Sequence, residues 1–133
     1  MNKTIFYASS VATGAPGIIH LYLFSIIIAH AVNIGIFFLI AGLLQLFWVL
    51  PTIRKWNRVW YYGGIGGTAI LITIWSMTRL PNPITKIGLP ITGLGIVEET
   101  FQAIFIGLTM ISLILTRKES NSKIASSKTS TDI

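Results

Sequence analysis

Five ionisable side chains stand in or beside long uncharged stretches of this chain: His20, His30, Arg79, Glu98 and Glu99. Two imidazoles and a carboxylate form a donor set for a divalent transition metal, and neutral imidazole suits Zn, Cu or Fe. His20, His30, Glu98 and Glu99 are therefore candidate metal ligands, and the histidines also admit haem. A glutamate held in an apolar stretch can instead carry a proton, which makes Glu98 or Glu99 a candidate proton site. Each residue also has a purely structural role open to it. A histidine at a membrane surface can bond water or backbone. Acids in the first turn of a helix are favoured by its dipole. Arg79 can pair with Glu98 or Glu99. The histidines lie ten residues apart, with no H-x-x-x-H spacing. The absence of cysteine excludes disulfides, thiolate metal sites and a Cys nucleophile. Asp132 is the only aspartate, so no Ser/His/Asp arrangement can be drawn. The sequence requires no cofactor and leans away from an enzyme.

The elements that must position these residues are long and apolar. Of 133 residues, 53% are hydrophobic and 11% charged, against about 25% charged in a soluble domain. Uncharged runs of about 18 residues or more are long enough to cross a bilayer as helices. The alternating pattern of a membrane β-barrel is absent. The net charge of +6 comes from basic residues that flank the apolar runs, as the positive-inside rule expects, and does not mark a nucleic-acid site. The expected fold is an all-α integral membrane protein. It is an antiparallel bundle of four transmembrane helices at about 4–23, 28–50, 59–80 and 96–116, with a disordered cytoplasmic tail at 117–133.

The first of these divisions needs an argument. Residues 18–50 contain no Lys, Arg, Asp or Glu. As one helix they would be about 50 Å long, while the hydrocarbon core is about 30 Å thick. The alternative fold, three spans with one overlong first helix, leaves about a dozen apolar residues outside the core. A hairpin with its turn at Phe24–Ile27 gives two spans of proper length. It would also set His20 and His30 side by side, although "LFSIII" has no turn-forming residue. Pro51 is expected to stop the second span. Arg54, Lys55 and Arg58 follow it within a belt of Trp48, Trp56, Trp60, Tyr61 and Tyr62, residue types that gather at headgroup level. Gly35, Gly42, Gly63 and Gly67 are candidates for close helix packing, and Gln45 for a hydrogen bond between helices in lipid. Eight basic residues then face the cytoplasm, and Arg79 and Lys86 face outward. Both termini are cytoplasmic and the loop 81–95 is external. The expected location is the plasma membrane.

The stretches "GIIHLYLF", "HAVNIGIFFLIAGLLQLFWVLPTIRKW", "WYYGGIGGT", "IWSMTRLPNPIT" and "VEETFQ" lie within a span of roughly Gly17 to Leu115. Together they resemble a group of small multi-pass membrane proteins found in archaea and, more distantly, in actinobacteria. In that group one histidine ends the first span, and a second opens a span of the form G-x-F-F…G-x-x-Q-x-x-W. The matching positions here are His20, His30, Gly35, Phe37, Phe38, Gly42, Gln45 and Trp48. Relatives often carry a polar or proline-containing segment between the histidines, which implies a turn. This chain has "LYLFSIIIA" there. The group has no established activity, so the resemblance implies topology and no chemistry. The functional expectation is a non-enzymatic accessory or structural subunit that contacts the lipid bilayer and other membrane subunits, or forms a homo-oligomer. The alternatives are a metal- or haem-binding redox protein using His20 and His30, and a small proton-coupled transporter.

Overall fold

The computed structural model describes residues 3–81, 83 and 88–131. The described residues form four α-helices: α1 (Lys3–Ile27), α2 (Val32–Ile53), α3 (Arg58–Arg79) and α4 (Gly93–Thr131). Lys86 and Asp132 lie outside the described residues. So does most of the stretch 82–87 in the expected external loop.

The chain does turn back, but later than expected and in a segment that includes His30. α1 continues through Phe24–Ile27, and the turn occupies residues 28–31. The amides of His30 and Ala31 both donate to the Ile27 carbonyl, at 2.9 and 2.8 Å. The stretch Phe24–Ile27 has no Gly, Pro, Asn or Asp, and the apolar Ile26–Ile27 pair stays helical. The turn has no residue at positive φ. Gly35 makes it feasible: a Cβ there would lie 2.8 Å from the Ile28 Cα. The missing side chain lets α2 start against the end of α1.

Pro51 does not end α2. It lies inside the last turn, and the helix runs on to Ile53. The termination is made just beyond, at Lys55. This residue adopts φ 51°, and the Trp56 amide donates to the Pro51 carbonyl at 3.0 Å. That is the six-to-one bond of a Schellman ending, with lysine in the left-handed position that glycine usually takes. The Lys55 ammonium lies 4.5 Å from the centroid of the Phe6 ring, which ties this corner to the start of α1. At the other end, the Thr92 hydroxyl accepts from the Gly95 amide at 3.1 Å and caps the start of α4.

α1 is the central helix: it packs along both α2 and α4, and α3 lies against α4 and touches α2. The α1–α2 approach is close because glycines face each other. A Cβ on Gly42 would stand 2.9 Å from the Gly17 carbonyl oxygen, and one on Gly17 would stand 3.0 Å from Leu46 Cγ. A Cβ on Gly63 would be 3.0 Å from the Trp48 ring, whereas one on Gly67 would meet nothing within 4 Å. The contact is made instead at Gly64, where a Cβ would fall 2.5 Å from Trp48 Nε1.

Three of the four helices, α1, α2 and α4, are long and apolar enough to cross a membrane. α3 is as long as α2, at 22 residues, but its four glycines, two tyrosines and Arg79 lower its hydropathy. Polarity is distributed inside out. Among the described residues the buried apolar side chains are few, Phe6, Ala12, Ala41, Tyr61 and Phe105 with Pro16 and Pro51, and the buried polar ones include Ser9, Thr13, His20, Gln45, Glu98, Gln102 and Thr109. Isoleucine, leucine and valine side chains are widely exposed on all four helices. Water as the only solvent would favour the reverse arrangement. The expected disordered tail differs as well. α4 is 39 residues long and carries the segment from Arg117 to Thr131 as helix. Its serines and threonines bond carbonyls of their own helix, as Ser126 does to Lys123 at 2.9 Å.

Candidate functional site

α1 and α4 meet along two polar stripes. On α1 the buried face carries Ser9, Thr13, Pro16 and His20. On α4 it carries Glu98, Gln102, Phe105, Thr109 and Ser112. Both sets repeat at three- and four-residue spacing, which is one face of a helix. His20 lies on one stripe and Glu98 on the other, and they touch: His20 Nε2 is 2.8 Å from Glu98 Oε1. Each side chain is sealed from solvent, at 4% and 5% exposure. His20 Nδ1 lies 2.9 Å from the Pro16 carbonyl oxygen. The Gln102 amide nitrogen donates to Glu98 Oε1 at 3.2 Å, and the Phe38 ring lies 5.4 Å from the His20 ring.

These partners fix the protons. The Pro16 carbonyl can only accept, so Nδ1 carries a hydrogen. Nε2 then faces a carboxyl oxygen with one proton between them. The pair is either imidazole with carboxylic acid or imidazolium with carboxylate, and its net charge is zero in both forms. A neutral, hydrogen-bonded pair is the form in which an acid is tolerated inside an apolar bundle. Gln102 adds a third member but leaves its own carbonyl oxygen without a partner, as are Ser9 Oγ and Thr109 Oγ1 on the same seam.

The structure separates the remaining candidates. His30 is not beside His20. It stands in the exposed turn, with Nδ1 3.4 Å from the Ile26 carbonyl. The turn begins at Ile28, which places His30 at its tip, and leaves His20 about two helical turns further down α1. Among the described residues no three His, Asp or Glu side chains are grouped to hold a metal, so His20, His30, Glu98 and Glu99 are not brought together as a ligand set. Nor does Arg79 pair with Glu98. Its guanidinium donates to the Pro90 carbonyl at 2.9 Å and lies 4.7 Å over the Trp75 ring. Glu98 turns inward to His20 because the α1–α4 seam offers it a buried partner. Glu99, one residue on, is half-buried beside it.

The aromatic belt is a packed cluster. Trp56 and Trp60 rings lie 5.2 Å apart, Trp48 and Trp60 5.9 Å, and Phe47 touches all three. Trp48 Nε1 donates to the Trp60 carbonyl at 2.8 Å. Tyr62 is exposed, whereas Tyr61 turns inward, with its ring 6.5 Å from Phe6. Trp48 is therefore the seat of α3 on α2. Trp48→Phe keeps an aromatic ring and removes the N–H. It is expected to cost about 1 kcal/mol, read as a lower midpoint in reversible unfolding from mixed micelles. An unchanged midpoint would show that α3 is held elsewhere.

Beyond Trp48, α2 and α3 enclose a groove of about 290 Å³ lined by residues of both helices and by Thr13 of α1. Gln45 lies in its wall. The link expected of Gln45 is made by its backbone: the Thr13 hydroxyl donates to its main-chain carbonyl at 3.3 Å. The side-chain carbonyl has no partner. The groove lining includes neither His20 nor Glu98.

Fold and site together define an all-α four-helix protein with an apolar exterior and a polar seam. Comparison with protein-family models, with curated proteins and with solved structures finds no match to this chain.

Proposed function

We propose that this chain is a multi-pass plasma-membrane protein with four spans and both termini cytoplasmic, acting as a non-enzymatic accessory or structural subunit of a membrane assembly. One observation carries the reading. The buried residues with the most chemistry to offer are spent in joining two helices: His20 of α1 and Glu98 of α4 are sealed against each other. A proton carrier would need a path to Glu98, and the groove runs elsewhere. Support for a partner comes from α3. It is the one helix of the four without a stretch long and apolar enough to cross a membrane, and its outward side carries Tyr62 and Gly66, with open space at Gly66. Small residues on such a face admit a close helix from another subunit or a second copy. The resemblance to the archaeal group fits the same topology.

Two measurements test this. Extraction in a mild detergent should recover the protein with partner subunits or as a homo-oligomer; a stable, partner-free monomer would count against the role. A tag placed ahead of Met1 and one after Ile133 should both be shielded from an impermeant label in intact cells. An external amino-terminal tag would sink the four-span topology.

A further inference from the structure

We propose that the groove between α2 and α3 holds one acyl chain of an anionic phospholipid, whose phosphate is bound at the basic corner that joins the two helices. The walls are apolar: Phe37, Ile40 and Leu44 on one side, Ile70, Leu71 and Ile74 on the other. From Phe37 to Trp48 the α2 wall is about 16 Å long, close to half of a hydrocarbon core about 30 Å thick. The space is not filled from within, because a Cβ at Gly67 would meet nothing within 4 Å. At the Trp48 end the groove reaches the cluster of Trp48, Trp56 and Trp60, and tryptophan gathers at headgroup level. The groove thus has the length of one leaflet and ends where a headgroup begins.

Charge decides which headgroup. Arg54 stands six residues past Trp48, about 9 Å further along α2, where the polar layer of a bilayer lies outside its hydrocarbon. It is seven residues from Phe47 and so continues the outward stripe of α2 on which Phe47 is exposed. Arg58 opens α3 on the other side of the corner. Both arginines are exposed. Among the described residues neither guanidinium is bonded to a protein group, unlike Arg79, which donates to Pro90. Lys55 is held over the Phe6 ring and adds positive charge. Neither α2, nor α3, nor the linker between them contains Asp or Glu. A guanidinium gives parallel N–H donors to phosphate oxygens, and an anionic headgroup brings no ammonium of its own to oppose the corner. A second copy fits less well, because two-fold packing on this face would set the same basic corner against itself. The inference rests on the membrane topology proposed above, with this corner at the cytoplasmic face, and not on the accessory role.

The test uses the full-length protein in neutral detergent micelles, titrated with phosphatidylglycerol or phosphatidylcholine whose brominated acyl chains quench nearby tryptophan. The anionic lipid should reach half-quenching at a mole fraction roughly 5–30-fold lower than the zwitterionic one, about 5-fold for each arginine. Arg54→Gln/Arg58→Gln should keep the quenching but erase most of that preference, and raised salt should weaken it. Gly67→Leu fills the groove and should move half-quenching by the anionic lipid to the zwitterionic value. Ile70→Phe, on the exposed wall, is read in parallel in case the leucine variant fails to fold. Equal quenching by the two lipids, an undiminished preference in the arginine variant, or unaltered quenching in both groove variants overturns the proposal. So does a disulfide-linked dimer of Gly67→Cys, which would give the groove to a second copy; the chain has no cysteine of its own. Quenching in micelles is blind to orientation, so a wrong topology shows in the terminal tags and a wrong lipid site in the quenching.

Discussion

Glu98→Ala is expected to lose about 3 kcal/mol of stability, the cost of orphaning one member of a buried pair. Glu98→Gln should lose only about 1 kcal/mol, near the average for a hydrogen bond between helices in a membrane protein. The contrast follows from the proton assignment. With Nδ1 held by Pro16, a neutral His20 presents a lone pair at Nε2. A glutamine amide at position 98 can donate to that lone pair, and alanine cannot. Alanine also strands the Gln102 amide, which now donates to Glu98. His20→Leu alone should resemble Glu98→Ala. The double variant His20→Leu/Glu98→Leu should recover much of the loss, because an apolar pair of similar volume replaces a polar one. Reversible unfolding from mixed micelles checks all four. If Glu98→Ala and Glu98→Gln proved equally mild, the pair would not be what joins α1 to α4.

The second large effect concerns α1 and α2. Gly42→Leu is expected to separate these helices and prevent recovery of folded protein, and Gly42→Ala to cost about 1–3 kcal/mol, the range for overpacking a filled interior. An alanine Cβ there would stand 2.9 Å from a main-chain oxygen, that of Gly17, and 3.0 Å from Leu21. Backbone cannot rotate out of the way as a side chain can, so the helices must move apart. Gly66→Ala is the internal control, because no atom lies within 4 Å of the added carbon. It should be neutral or slightly stabilising, since alanine is the better helix former. Thermal midpoints of the detergent-solubilised variants give the comparison. A Gly42→Ala variant as stable as Gly66→Ala would mean that the α1–α2 contact is loose.

The hairpin is legible in the sequence because length alone argues for it: an uncharged run far longer than a bilayer must fold back. The position of the turn is not. Residues 28–31 include no glycine, proline or asparagine, and the device that makes the turn possible, Gly35, sits beyond the turn in α2 and acts through space. Pro51 misleads for a related reason. In the last turn it forgoes one backbone bond without stopping the helix, and the termination lies in the conformation of Lys55, which has no sequence signature. The glutamates and His20 stand out as costly residues, but their pairing is hidden. Arg79 looks the natural partner of Glu98 because opposite charges attract. The deciding signal is the spacing of small polar residues along α1 and α4, Ser9 and Thr13 with His20, and Gln102 and Thr109 with Glu98. Polar periodicity inside an apolar segment marks a buried face as surely as apolar periodicity does in a soluble helix.

The unbroken run of α4 to Thr131 has a mechanical consequence. The segment from Arg117 onward makes a stiff rod about 22 Å long, continuous with the part of the helix that holds Glu98 and Gln102. A rod fixed at one end converts rotation into travel. If α4 tilted by about 20° against α1, the tip near Lys128 would swing by about 8 Å. Any event that alters the seam is thereby amplified at the far end of the same helix, where Lys118, Lys123 and Lys128 would carry the displacement as moving positive charge.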